Sequence, residues 1–130
     1  MNAARILIVD DEETVLGLMA MVLRMAGYLV QTAPDGREAL SQFRNGEGAP
    51  DLLVTDLLLQ PDFPGHELAR NMRIFQPGLP VLYVSGLAEC DLVEEEVAQG
   101  QAAFLAKPFS PRMLRDWVKE ALKVRNLAVT

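Results

Sequence analysis

One cysteine, Cys90, cannot form an internal disulfide, which excludes the small cross-linked scaffolds of secreted proteins and fits a reducing compartment. Nothing beside Cys90 suggests a nucleophile, and it reads as a loop residue. No apolar run approaches the ~20 residues needed to cross a bilayer. The opening MNAARILIVDD lacks a basic region followed by a long apolar stretch and a small-residue cleavage site. A secretory signal is therefore not expected, and a cytoplasmic, membrane-free domain is. Basic residues are in the minority, 12 against 18 acidic, for a net charge of −6. Phosphate-backbone affinity needs clustered cations. The basic run Arg112, Arg115, Lys119, Lys123 and Arg125 is interrupted by Asp116 and Glu120 and reads as a solvated helical face, so no direct nucleic-acid binding is expected. The sole histidine, His66, opens a helical segment with no second ligand nearby and is expected at the surface. Linkers, low-complexity segments and repeats are also missing, which leaves one domain over residues 1–130.

What is present is an alternation of short apolar runs with longer segments of helical period. Ile6–Val9 is continuously apolar, the pattern of a strand buried on both faces. Glu13–Ala26 is helical, with Glu12 and Glu13 near the positive end of its dipole and Gly27 as a stop. There follow a weaker strand at Tyr28–Thr32, a helix over Asp35–Asn45 broken by Gly46 and Gly48, and a strand at Leu52–Thr55. A helix spans Gly65–Phe75, a strand Val81–Val84, an acidic helix Asp91–Ala98 and a fifth strand Ala103–Ala106. A last helix runs from Pro111 to about Arg125. Five β/α repeats predict an α/β fold, a doubly wound five-stranded parallel sheet with five helices on its two faces.

Asp10 and Asp11, Asp56, Ser85 and Lys107 each stand where one of these strands stops, in ILIVDDE, DLLVTD, VLYVSG and AFLAKPF. Singly each piece has a plain structural reading: acids at a helix start, a strand-end cap, a turn, a strand exit. Together they fall at the carboxyl ends of four strands, the edge where such sheets bind ligands. Two carboxylates about 4 Å apart repel by roughly 4 kcal/mol at an effective dielectric near 20. Gathering three of them needs cations: Lys107 supplies one unit, and a hard divalent ion such as Mg²⁺ suits the remaining oxygens. Lys107 and the metal would neutralise an incoming phosphoryl group, and Ser85 could donate to it. Asp56, flanked by acids and by Lys107, is the candidate nucleophile, forming an aspartyl phosphate; Asp10 and Asp11 would hold the metal.

These motifs, with Asp35-Gly36 and Gly65, resemble the receiver domain of two-component response regulators over essentially the whole chain. The resemblance implies a flavodoxin-like fold with strand order 2-1-3-4-5 and Mg²⁺-dependent transfer of a phosphoryl group from a kinase histidine. It implies Asp56 as phosphoacceptor, with Asp10, Asp11, Asp56 and the backbone carbonyl of Leu58 on or near the metal. Ser85 and Lys107 would contact the phosphoryl group, Lys107-Pro108 would be a cis peptide, and Ser85 with Phe104 would form the switch. The implied partner is a histidine kinase or histidine phosphotransfer protein. Two departures stand out. The segment DLLLQPDFPG after Asp56 reads one residue longer than usual, and Phe104 replaces the commoner Tyr.

Further expectations come from single residues. Leu58 and Leu87, two beyond the acceptor and two beyond the hydroxyl, cannot position an attacking water, so a slowly hydrolysing phosphate is expected. The first helix carries more apolar residues than one stripe needs. With Val15, Leu18 or Met19, and Val22 inward, Leu16, Met21 and Met25 are expected to project outward as a partner-docking or homodimer surface. Trp117 beside the stripe Leu114, Val118, Leu122 is either its flank or an exposed anchor. The segment Gln101-Ala102-Ala103 lacks the acids that some transcription-factor receivers use for dimer salt bridges. The competing readings are a receiver-like scaffold that takes no phosphate and an Asp-nucleophile phosphatase. The phosphatase would need a general acid where Leu57 and Leu58 stand. No effector sequence follows, so a stand-alone regulator and a piece of a larger protein, such as a hybrid histidine kinase, are both open.

Overall fold

The computed structural model describes residues 3–44, 49–59 and 63–129, the side chains of Leu87 and 124–129 excepted. Five short strands form one parallel sheet: β1 (Arg5–Val9), β2 (Leu29–Ala33), β3 (Leu52–Thr55), β4 (Val81–Ser85) and β5 (Ala102–Ala106), in the order β2-β1-β3-β4-β5. The helices between and after them are α1 (Glu13–Met25), α2 (Gly36–Arg44), α3 (Gly65–Phe75), α4 (Glu94–Ala98) and α5 (Pro111–Val129). This is the expected five-stranded flavodoxin-like topology. No described helix is long and apolar enough to cross a membrane.

Burial on both faces explains why the central strands read as unbroken apolar runs. Ile6, Ile8, Leu52, Val54, Leu82 and Val84 pack with Met19, Val22 and Leu23 of α1 and with Leu114 and Val118 of α5. Leu7, Val9, Leu53, Val81 and Tyr83 face the other way, against Ala39 of α2 and Leu68, Ala69 and Met72 of α3. The sheet pairing starts β2 one residue later than the sequence suggests, because Arg5 to Val9 register with Leu29 to Ala33. At α2 the Asp35 carboxylate accepts the Glu38 N–H at 2.8 Å, so Asp35 caps the helix rather than opening it. The break expected at Gly46 and Gly48, and Asn45 before it, lie outside the described residues.

Two expectations need correction. The acidic segment is not one helix from Asp91: a 3-10 helix runs from Leu87 to Val93, holding Cys90, and only Glu94–Ala98 is α-helical. Val93, the last residue of the 3-10 helix, is buried in the core. On α1, Leu16 packs against the core cluster, whereas Leu18 is about half exposed. The inward stripe is Met19, Val22 and Leu23 flanked by Val15 and Leu16, so of the three outward candidates Met21 and Met25 project and Leu16 does not.

Gly65 starts α3 directly behind β3. Its N–H donates to the Leu57 carbonyl at 3.0 Å, and a Cβ at this position would stand 2.1 Å from the Asp56 carbonyl oxygen. Only a residue without a side chain lets α3 close on the end of β3. Gly17, inside α1, has open space around it. Gly65→Ala should lower stability by about 1–3 kcal/mol through forced backbone displacement, and Gly17→Ala should raise it by about 0.5–1 kcal/mol through helix propensity. Urea denaturation of both variants checks this pair of opposite signs.

Candidate functional site

β1 and β3 are central neighbours in register, Val9 beside Thr55, so the residues that follow them emerge side by side. The Asp56 N–H donates to the Val9 carbonyl at 3.1 Å and the Asp10 N–H to the Ala33 carbonyl at 3.3 Å. Ladder hydrogen bonds thus continue to the acids themselves. β5 pairs with β4 up to Ser85 and Ala106, and the Lys107 N–H donates to the Ser85 carbonyl at 2.8 Å. The Lys107-Pro108 peptide is cis. Four strands therefore deliver their terminal residues to one edge.

There Lys107 Nζ donates to Asp56 Oδ2 at 2.9 Å and to Asp10 Oδ2 at 3.1 Å. The second oxygens are also engaged: Asp10 Oδ1 accepts the Glu12 N–H at 2.8 Å, and Asp56 Oδ1 accepts the Leu58 N–H at 2.9 Å. Asp10 is fully buried, Asp56 and Ser85 nearly so, and Asp11 is exposed. Carboxylate oxygens of Asp10, Asp11 and Asp56 lie within 4.8 Å of one another, a group that could hold a metal ion. Three carboxylates against one ammonium leave two negative charges. All-oxygen donors around that deficit suit a hard divalent cation, so the residues present fit Mg²⁺.

Burial raises the Asp10 pKa above its ordinary 3.8, against the lowering effects of the Glu12 amide and Lys107. For Lys107 burial works downward, but hydrogen bonds and charge from Asp56 and Asp10 prevail and hold it above 10.5. The lysine is thus charged throughout the neutral range. Its stabilising contribution is complete below 10.5 and fades only as pH climbs through the raised folded value.

Phe104 pairs in register with Tyr83 and is half-buried against the same core cluster. Trp117 is 40% exposed and lines a cleft with Pro80, Val81 and Ala102, which makes it an exposed flank of the α5 stripe. The segment after Asp56, where an extra residue is expected, is described only to Leu59 and from Phe63, so its middle, residues 60–62, lies outside the described residues, as does the Leu87 side chain. His66 departs from expectation: it is half-buried, and its Nδ1 has no hydrogen-bond partner among the described residues.

Two features escaped sequence reasoning. Glu12 looks like a helix-start acid, yet its Oε1 lies 4.0 Å from Lys107 Nζ. A second polar cluster joins Tyr83, Glu96 and Arg73: the buried Tyr83 hydroxyl stands 3.0 Å from both Glu96 oxygens, and Arg73 pairs with Glu96 at 2.5 Å. Burial, then the Glu96 charge, raises the Tyr83 pKa strongly. A polar tip on an otherwise apolar strand, VLYVS, was the available signal.

Sheet order and edge chemistry together define a receiver fold of the flavodoxin-like class. The chain belongs to the response regulator receiver domain family of two-component signalling, whose model matches residues 6–119. It is 35% identical over 125 residues to the sensor kinase CckA of Brucella abortus (strain 2308), covering 96% of this chain and 13% of that protein. It is 35% identical over 124 residues to the alkaline phosphatase synthesis transcriptional regulatory protein PhoP of Bacillus subtilis (strain 168), covering 95% and 50%. The chain thus spans half or less of these two relatives. Among solved structures, a CheY-like receiver domain protein from Methanospirillum hungatei JF-1 superposes with a TM-score of 0.84 at 30% identity, covering 98% of this chain and 99% of that one. A response regulator structure from Chloroflexus aurantiacus J-10-fl gives 0.80 at 35%, covering 94% and 99%.

Asp10→Asn should stabilise the domain by on the order of 1 kcal/mol in divalent-free neutral buffer, because it removes a desolvated charge and keeps the Glu12 N–H acceptor. A raised carboxylate costs stability above its folded pKa and ceases to do so as pH falls through it. The advantage of the variant should therefore shrink in acid. Urea midpoints of both proteins at neutral and mildly acidic pH test this, and an Asn variant less stable at neutral pH would contradict it.

Proposed function

We propose that this receiver domain accepts a phosphoryl group on Asp56 from the phosphohistidine of a histidine kinase or histidine phosphotransfer protein, and that Asp10, Asp11, Asp56 and the Leu58 carbonyl hold Mg²⁺ for that step. The observation that carries this reading is the Lys107 ammonium bonded to two buried carboxylates at 2.9 and 3.1 Å beside an exposed third. An Asp56 oxygen forms a bond to phosphorus as the phosphorus–nitrogen bond breaks, and the electron pair leaves on the donor imidazole, which takes up a proton. Bound Mg²⁺ supplies positive charge to the phosphoryl oxygens. Lys107 would stay in place to pair with one phosphoryl oxygen, and Ser85 would donate its hydroxyl to another. Contacts made better in one conformation than another are what shift the equilibrium of a switch, and Ser85 with half-buried Phe104 are the residues assigned to that shift.

The chemistry of the domain is confined to its own phosphorylation and dephosphorylation, so it is read as a signalling module and not an enzyme with an outside substrate. A cytoplasmic site of action belongs with a phosphohistidine donor. Docking of that donor is assigned to α1, where Met21 and Met25 are 53% and 82% exposed, with Trp117 of α5 a further contact.

Exposure to acetyl phosphate and Mg²⁺ should add the mass of one phosphoryl group to the intact chain and nothing to Asp56→Asn. A wild-type chain that gains no mass would instead favour a scaffold. Leu58 offers no group to orient water beside Asp56, so the phosphorylated form should persist for minutes or longer, and Leu58→Asn should shorten its lifetime by at least about tenfold. Loss of phosphate from the wild-type domain within seconds would contradict this.

A further inference from the structure

We infer that Tyr83, Glu96 and Arg73 form a latch that holds α4 on the domain, and that loading of Asp56 opens it. The second half rests on the phosphoacceptor reading above.

Packing does not hold α4 in place. The helix is 5 residues long and none of them is buried, and a helix this short is not stable by itself in water. Val93, just ahead of it, is buried and fixes only where the helix begins. Among the described residues, Glu96 is the one α4 side chain hydrogen-bonded to another element. It accepts from Arg73 at 2.5 Å and from the Tyr83 hydroxyl at 3.0 Å. Arg73 also donates to the carbonyls of Leu79 and Gln101, at 3.1 and 2.6 Å, which lie ahead of β4 and β5. The Arg73 and Glu96 side chains are only 18% and 25% exposed and Tyr83 is fully buried, so these bonds are shielded from water. Burial and the Glu96 charge push the Tyr83 pKa up, which keeps the hydroxyl proton available as a donor. A shielded polar network is strong when complete and costly when partly broken. It therefore favours two discrete positions for α4 over a graded shift.

Both anchors of the latch run to the acid–lysine edge. Arg73 is on α3, about 12 Å along the axis from Gly65. Gly65 itself donates to the Leu57 carbonyl and stands against the Asp56 carbonyl. Tyr83 precedes Ser85 by two residues, so the two side chains share one face of β4. If Ser85 donates to a phosphoryl oxygen, the end of β4 is drawn toward Asp56 and the Tyr83 hydroxyl is drawn off Glu96. Phe104, in register beside Tyr83, has no hydroxyl with which to do the same.

Amide hydrogen exchange reads the position of α4. The N–H groups of Gln99, Gly100 and Gln101 close its last turn on the carbonyls of Glu95, Val97 and Glu96, at 3.0, 3.1 and 2.9 Å. In divalent-free buffer, Tyr83→Phe and Glu96→Gln should each speed exchange at these three amides at least about tenfold. The Asp56 amide, bonded to the Val9 carbonyl, is the reference for global opening and should change far less. Glu95→Gln removes an exposed charge from the same helix without touching the latch and should leave all four rates in place. Acetyl phosphate with Mg²⁺ should speed the three amides about fivefold or more in wild type and add little in Tyr83→Phe. Unchanged rates in both latch variants, or equal acceleration of the Asp56 amide, would overturn the latch. A wild-type chain carrying the added phosphoryl mass, with the three amides exchanging as before, would overturn the coupling. A wild-type chain that gains no mass would overturn the phosphoacceptor reading and the coupling with it, and the variants' exchange rates would still decide the latch.

Discussion

The ammonium of Lys107 between the buried carboxylates of Asp10 and Asp56 is the interaction on which the rest of this molecule depends. Two acids removed from water beside each other repel by several kcal/mol at short range, and removing the shared ammonium, which would leave both buried charges unpaired, typically costs about 3–5 kcal/mol. Satisfying both requires that β1, β3 and β5 end at one height on one edge. The strand order puts β1 and β3 in the centre, and the β4–β5 ladder carries Lys107 in beside Ser85. The sheet is in this sense a frame that holds three charges at fixed distances.

That frame is rigid where it meets the site and uncommitted beyond it. Both oxygens of Asp10 and Asp56 are held by backbone amides and by Lys107, so neither carboxylate can turn freely. Gly65 brings α3 against the Asp56 carbonyl from behind. On the far side of β4, a separate polar cluster of Tyr83, Glu96 and Arg73 anchors the short α4. Tyr83 lies two residues before Ser85 on the same strand, so the anchored helix and the edge that carries the acid–lysine cluster share one rigid element.

Most of the architecture was legible in the chain because it rests on patterns of period and punctuation. Ile6–Val9 and Leu52–Thr55 are apolar without interruption, and Gly65–Phe75 is bounded by glycine and proline. The acid–lysine site was legible for the same reason: each of its residues closes an apolar run. What was not legible depends on contacts between segments distant in sequence. The acidic stretch Asp91–Ala98 looks helical throughout, yet Asp91 to Val93 close a 3-10 helix that starts at Leu87, with Val93 buried in the core. Leu16 and Leu18 are chemically equivalent, and only the position of α1 on the sheet decides that Leu16 turns inward. Glu12, Glu96 and Arg73 are ordinary surface charges in the sequence, and acquire partners only through folding.

A magnesium titration followed by backbone amide NMR tests the charge balance most directly, because it reads the deficit left by three carboxylates and one ammonium. Wild type should saturate, with the largest shifts at Asp11, Asp56 and Leu58. Asp11→Asn should bind the ion more weakly, and Lys107→Met should bind it more tightly, by roughly tenfold, because a competing cation is gone. Equal affinity in all three proteins, or shifts that avoid this edge of the sheet, would contradict the account.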